Sequence, residues 1–157
     1  ASGRRIAFIG DPVEPEIEQR REGYLKALQL HDIPVDDSLM FRAPFDAHKA
    51  KLATQAAVAS GRRFDAIFCA SDIIALNMIE ALRGAGLDVP GDVAVVGYDD
   101  ISLASSYGQS LTTISQEIPV GGRLLVDVLF SRINGEAVGP AIIQGKLKIR
   151  NSSSRHP

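Results

Sequence analysis

Four polar residues stand where two apolar runs stop, and they are the side chains of this chain best placed to do chemistry. Ala66-Ile67-Phe68-Cys69-Ala70 stops at Ser71-Asp72, and Val93-Ala94-Val95-Val96-Gly97 stops, after Tyr98, at Asp99-Asp100. Carboxylates accept hydrogen bonds and a serine hydroxyl both donates and accepts, a kit that suits a hydroxyl-rich small molecule. Bond cleavage fits less well, because adjacent residues such as Asp99 and Asp100 rarely flank one scissile bond.

Those residues need a scaffold, and the sequence between them supplies one. Each apolar run is short and continuous, the pattern of a parallel strand buried on both faces. Ser71-Asp72 is a helix N-cap pair, with Asp72 read as the cap, and Ile74, Met78 and Leu82 follow at helical spacing. Gly84 and Gly86 end that helix. Strand, helix and strand make a βαβ unit, and in open sheets of this kind ligands bind at the carboxyl ends of the strands. Ser71, Asp72, Asp99 and Asp100 are therefore expected to converge.

The same rhythm runs through most of the chain. Strands are expected near Ile6–Ile9, Ser38–Arg42, Ala66–Ala70 and Val93–Gly97, about one βαβ period apart. Helices are expected from about Glu14 to His31, with Ile17, Tyr24, Leu25 and Leu28 on one stripe, and from an Asp46 cap to about Ser60. The fold class is α/β, a doubly wound parallel sheet. After Asp100 the rhythm fails. Ser102–Ser110 reads as a loop with one short turn, Leu111–Ser115 as extended, Pro119–Asn134 as a helix, Ala141–Ile149 as a last strand, and Asn151–Pro157 as a tail.

Composition narrows the function classes. With 45% apolar residues the chain can bury a sizeable core. A formal charge of −2 gives no basic footprint, so this chain is not expected to grip DNA by itself. No apolar run is long enough to span a membrane. Cys69, the single cysteine, lies in a buried run and reads as a small core hydrophobe. His31, His48 and His156 have neither metal spacing nor a paired nucleophile, so no catalytic set, metal or cofactor is assigned. There is no phosphate-cradling loop; Gly121-Gly122 opens a helix without that pattern.

Several motifs, in order, resemble the LacI/GalR family of transcriptional regulators over nearly all of the chain. They are Arg4-Arg5-Ile6-Ala7-Phe8-Ile9-Gly10, then Arg20-Arg21-Glu22-Gly23-Tyr24 and Ala70-Ser71-Asp72. The run Gly86-Leu87-Asp88-Val89-Pro90-Gly91-Asp92 through Gly97-Tyr98-Asp99-Asp100-Ile101 follows, then Leu111-Thr112-Thr113 and Leu147-Lys148-Ile149-Arg150-Asn151-Ser152. The resemblance implies the C-terminal subdomain of a periplasmic-binding-protein-like (type I) effector domain. Residues 1–112 and 141–157 would form that subdomain. Residues 113–140 would be a crossover and a helix belonging to an N-terminal subdomain largely missing here, as is the DNA-binding headpiece.

The resemblance also implies site roles. Asp99 matches a hydroxyl-binding acceptor, with a turn aspartate as the competing role, and Asp100 is read as capping the following turn. Arg20 matches an arginine that reaches the effector, although its position alone would suit a solvated surface arginine. Arg21 is given the surface role. Ser71 stands where the family frequently has asparagine, which leaves fewer hydrogen bonds to offer, and Phe45 and Gln116 complete the implied ligand set. Core packing is the competing role for Phe45. Glu16 and Asp11 lie at the expected mouth. The implied partners are a small-molecule effector, a sugar or sugar derivative, and a second copy in a homodimer. DNA would be contacted only through the absent headpiece, in the cytoplasm.

Two alternatives carry different expectations. A sugar-binding receptor of a transport system shares the two-lobed architecture. A phosphoacceptor receiver domain would need an acidic pair after the first strand, where only Asp11 stands. One physical expectation is independent of these choices. Val120, Leu124, Leu125, Val128, Leu129 and Ile133 give the Pro119 helix a wide apolar face, and leaving it in water forfeits about 1.5–3 kcal/mol per side chain. The helix is expected either to fold back on its own subdomain or to pair with a second copy.

Overall fold

The four-residue strand β1 (Ile6–Ile9) lies inside the molecule, with Ala7, Phe8 and Ile9 buried. The computed structural model describes residues 4–106 and 110–154. Beside β1 run β2 (Met40–Phe41) and β3 (Ala66–Cys69), and β4 (Ala94–Val96) lies outside β3. All pairings are parallel, in the order β2-β1-β3-β4, with Phe8 opposite Phe68 and Ile67 opposite Val95. The expected doubly wound parallel sheet is therefore present. Beyond β4 the chain at 112–115 acts as a further parallel neighbour through bridges Val96–Thr112 and Asp99–Ser115.

Helices α1 (Pro15–Leu30), α2 (Ala47–Ala59) and α3 (Asp72–Gly84) connect these strands. β1→β2 and β3→β4 step in opposite directions across the sheet, so right-handed crossovers put α1 and α3 on opposite faces. α1 buries Ile17, Tyr24 and Leu28; α3 buries Ile74, Met78, Ile79 and Leu82. The Asp46 carboxylate caps α2 by accepting from Lys49 N at 2.8 Å. Gly86, at φ +79°, closes α3, with Gly86 N donating to Arg83 O and Leu87 N to Leu82 O.

Four expectations need correction. Ser71, not Asp72, caps α3: its hydroxyl accepts from Ile74 N at 3.4 Å, while Asp72 occupies the first helical position. The second strand is only Met40–Phe41, because Asp36 accepts from Ser38 N and winds Asp37–Leu39 into a 3-10 turn. The last strand, β6, is Lys146–Lys148 and runs antiparallel to β5 (Thr113–Ser115) in a separate ribbon. Ala141–Gly145 has no strand to pair with, and Ile142 is 90% exposed. The short helix α4 (Ser102–Ser106) forms in the expected loop, of which 107–109 fall outside the described residues. Nor is the start of the expected tail loose: Ser152 is fully buried, its hydroxyl donating to Val95 O at 2.6 Å and accepting from Thr112 N at 2.8 Å, while 155–157, including His156, fall outside the described residues.

α5 (Ile118–Ile133) does not fold back on its own subdomain, which leaves pairing with a second copy as the remaining half of that expectation: none of its residues is buried, and Leu125 and Phe130 are 73% and 62% exposed. Lys146 Nζ on β6 binds Glu117 Oε2 at 2.7 Å, tying the start of α5 to the β5–β6 ribbon.

Candidate functional site

The loop after β4 brings the site together. Tyr98 O accepts from Asp72 N at 2.8 Å, tying the loop to the start of α3, and Asp99 N donates to Ile114 O at 3.0 Å. Asp99 and Asp100 have φ of +118° and +55°, conformations that cost a non-glycine residue about 1–3 kcal/mol and cluster at functional sites.

Arg20 reaches this loop from α1. Its Nη1 donates to Ala70 O, at the end of β3, at 2.6 Å, and its Nη2 meets Asp99 Oδ1 at 3.3 Å. The guanidinium carbon sits 3.9 Å from the centroid of the Tyr98 ring. Gln116, just past β5, donates through Nε2 to the same Asp99 Oδ1 at 2.6 Å. Among the described residues Asp99 Oδ2 has no hydrogen-bond partner, so one oxygen is fixed by two donors and the other is left as an open acceptor. Arg20 and Asp99 are 13% and 20% exposed. Burial raises the Asp99 carboxyl above the ordinary aspartate range, against the lowering effect of the Arg20 charge and the Gln116 bond.

Asp72 sits beneath the cluster, fully buried, accepting from Thr113 Oγ1 at 2.6 Å and from Ile101 N at 3.0 Å. Burial raises its carboxyl too, with Asp99 and Asp100 adding to the rise. Gly97 leaves room for this carboxylate, since a Cβ there would collide with Asp72 Oδ1. Asp100 is not a turn cap: its Oδ1 pairs with Arg150 Nη2 at 2.6 Å, fastening the chain's closing segment. Cys69 is wholly buried, and burial holds its thiol well above the usual range.

The structure thus gathers Arg20, Asp99 and Gln116 into one hydrogen-bonded cluster. Ser71 and Phe45 lie together elsewhere, in a smaller hollow with Pro44, Asp46 and Ile74. Ser71 is fully buried with its hydroxyl on the α3 cap; Phe45 is 68% exposed, so it is not a core residue. Glu16 lines the main cavity with Arg20 and Gln116, whereas Asp11 is held by Arg42 at 2.9 Å. Arg21 pairs with Glu18 one turn away. The sequence reading missed two partners, Tyr98 under Arg20 and Arg150 on Asp100. Tyr98 had a signal, since it is an aromatic between a strand and an acidic pair; Arg150 had one as the arginine of the closing Leu147–Ser152 motif, but nothing in the sequence named Asp100 as its partner.

No His, Cys, Asp or Glu cluster among the described residues is arranged to hold a metal ion. No helix there is long and apolar enough to cross a membrane.

Comparison with known proteins agrees with the fold. The family described as periplasmic binding protein-like domain matches residues 2–153. The transcriptional regulator CelR of Thermobifida fusca is 33% identical over 152 residues, 95% of this chain and 45% of its own length. A solved CelR–cellobiose complex aligns with a TM-score of 0.82 at 32% identity, covering 97% of this chain and 47% of that one. A lac repressor dimer bound to operator and the anti-inducer ONPF aligns with a TM-score of 0.86 at 28% identity, covering 97% and 53%. This chain spans about half the length of the curated relatives it matches. These relatives are regulators rather than enzymes, and the transport-receptor alternative gains no support from them.

Proposed function

The chain belongs to the periplasmic binding protein-like domain family, in the form carried by LacI-type regulators, and from that premise we propose that it is the C-terminal half of an effector-binding region. Its ligand is a saccharide or sugar derivative, and its role is sensing rather than catalysis. The observation that carries the proposal is the Arg20–Asp99–Gln116 cluster. Two donors orient one carboxylate oxygen and leave the other open, a preorganised acceptor beside a charged donor and the Tyr98 ring. Phe45 offers a second aromatic face from the separate, smaller hollow it shares with Ser71.

The exposed apolar face of α5 supports the rest of the assignment. Residues 113–140 cross to a second lobe that longer relatives have room for, and that lobe covers α5 and supplies the other wall of the cleft. Closure around the ligand favours one arrangement of a homodimer over another, and DNA affinity follows through a separate headpiece in the cytosol.

With half the cleft, this chain binds saccharide weakly. Calorimetry with cellobiose as the probe should give millimolar affinity, at least tenfold weaker in Asp99→Asn. Equal binding by wild type and Asp99→Asn would remove the cluster from the site, and tight binding by the chain alone would contradict the missing second wall.

A further inference from the structure

We propose that the cavity below the Arg20–Asp99–Gln116 cluster takes an amphiphile, with a hydroxylated head group at the cluster and an unbranched apolar tail laid along α1. The inference rests on the reading of the cluster as a hydroxyl site. The cavity holds about 710 Å³, within the range of about 300–1,000 Å³ typical of small-molecule sites. Its polarity is divided by position. Glu16, Gln19, Arg20, Tyr98 and Gln116 stand at one end and His31 at the other, and the walls between them are Tyr24 and Leu28 on α1 and Phe68, Val96 and Ile114 on the sheet.

The lane exists because of the fold. Both faces of a parallel sheet are normally covered. Here α1 lies over the β1 side and α3 on the opposite face, so among the described residues no helix covers Phe68, Val96 and Ile114. Gly23 keeps the lane open. It sits in the middle of α1, where glycine costs about 1 kcal/mol relative to alanine, and a Cβ built on it would meet nothing within 4 Å. Its position lines the cavity. A leucine there would project into the lane.

The lane is long enough for a tail: from Arg20 to His31 α1 rises about 16 Å. An alkyl chain fits, and the charged groups at one end fix its direction.

The test compares methyl β-glucoside, hexyl β-glucoside and hexanol by NMR titration of this chain. Burying even part of the extra methylenes predicts hexyl β-glucoside at least tenfold tighter than the methyl compound, with shifts at Gly23, Phe68 and Ile114. Hexanol should bind at least tenfold more weakly than hexyl β-glucoside. Gly23→Leu, which favours the helix, should bring the hexyl-to-methyl ratio close to one; Ala27→Phe blocks the lane one turn further on and should do the same. Equal binding of both glucosides, or a ratio unchanged in both variants, overturns the proposal while leaving the head-group cluster standing. Hexanol binding as tightly as hexyl β-glucoside overturns it by separating tail from head. No shift at Arg20, Asp99 or Gln116 with either glucoside removes the cluster reading and the inference together.

Discussion

Replacing Arg20 with methionine keeps the stem of the side chain and removes what its guanidinium does. Ala70 O loses its donor at 2.6 Å, Asp99 loses its cation at 3.3 Å, and the Tyr98 ring loses the charge stacked on it. A hydrogen bond involving a charged group contributes about 1.5–3 kcal/mol, and a partly desolvated cation–π contact about 0.5–2 kcal/mol. Releasing Arg20 from its own partial burial offsets some of this, so the net cost should be about 2–3 kcal/mol. For a chain of this length that lowers Tm by about 4–12 °C in a thermal melt followed by circular dichroism. The loss has a pH signature. Burial already raises the Asp99 carboxyl and the Arg20 charge opposes that rise, so the variant's carboxyl should titrate higher still. The folded state then retains its proton longer than the unfolded chain does. The stability gap between wild type and Arg20→Met should therefore widen as pH rises from the unfolded aspartate range toward neutrality. An unchanged Tm, with the Asp99 carboxyl carbon titrating at the same pH in both proteins, would refute the coupling.

Three further outcomes follow from the same geometry. Gly97→Ala should cost about 1–3 kcal/mol by crowding Asp72, Leu111 and Ala75, whereas Gly122→Ala, in open space on α5, should stabilise by about 0.5–1 kcal/mol in urea titrations. Burial raises the Asp72 carboxyl, so ionising it weakens the fold; the stability of wild type relative to Asp72→Asn should fall as pH rises above the unfolded aspartate range, and a rising difference would reverse the assignment. The exposed apolar face of α5 should drive self-association that grows with concentration in sedimentation and is reduced by Leu129→Glu; a dilute monomer with rapid amide exchange throughout α5 would contradict this.

The sheet was legible because parallel strands buried on both faces are continuous apolar runs: Ala66–Cys69 and Ala94–Val96 announce themselves, and the chain between them carries its own cap and stop. Local rivalry was not legible. Ser71 and Asp72 are both good caps, and only the bond from Ile74 N decides between them. Ile142-Ile143 has strand composition but no neighbour to pair with, which a one-dimensional pattern cannot reveal. The meeting of Arg20 with Asp99 came from motif resemblance, since 79 residues separate them and no periodicity connects them. Arg150 belongs to the closing motif, but nothing there named Asp100, 50 residues away, as its partner. The uncovered face of α5 could be read from its spacing, but what covers it is not encoded within the helix.

The most direct measurement is a chemical-shift map of this chain titrated with cellobiose. Concentration-dependent shifts should centre on Arg20, Tyr98, Asp99 and Gln116, with smaller ones at Phe45. Shifts that avoid those residues, or that persist unchanged in Asp99→Asn, would contradict the proposed site.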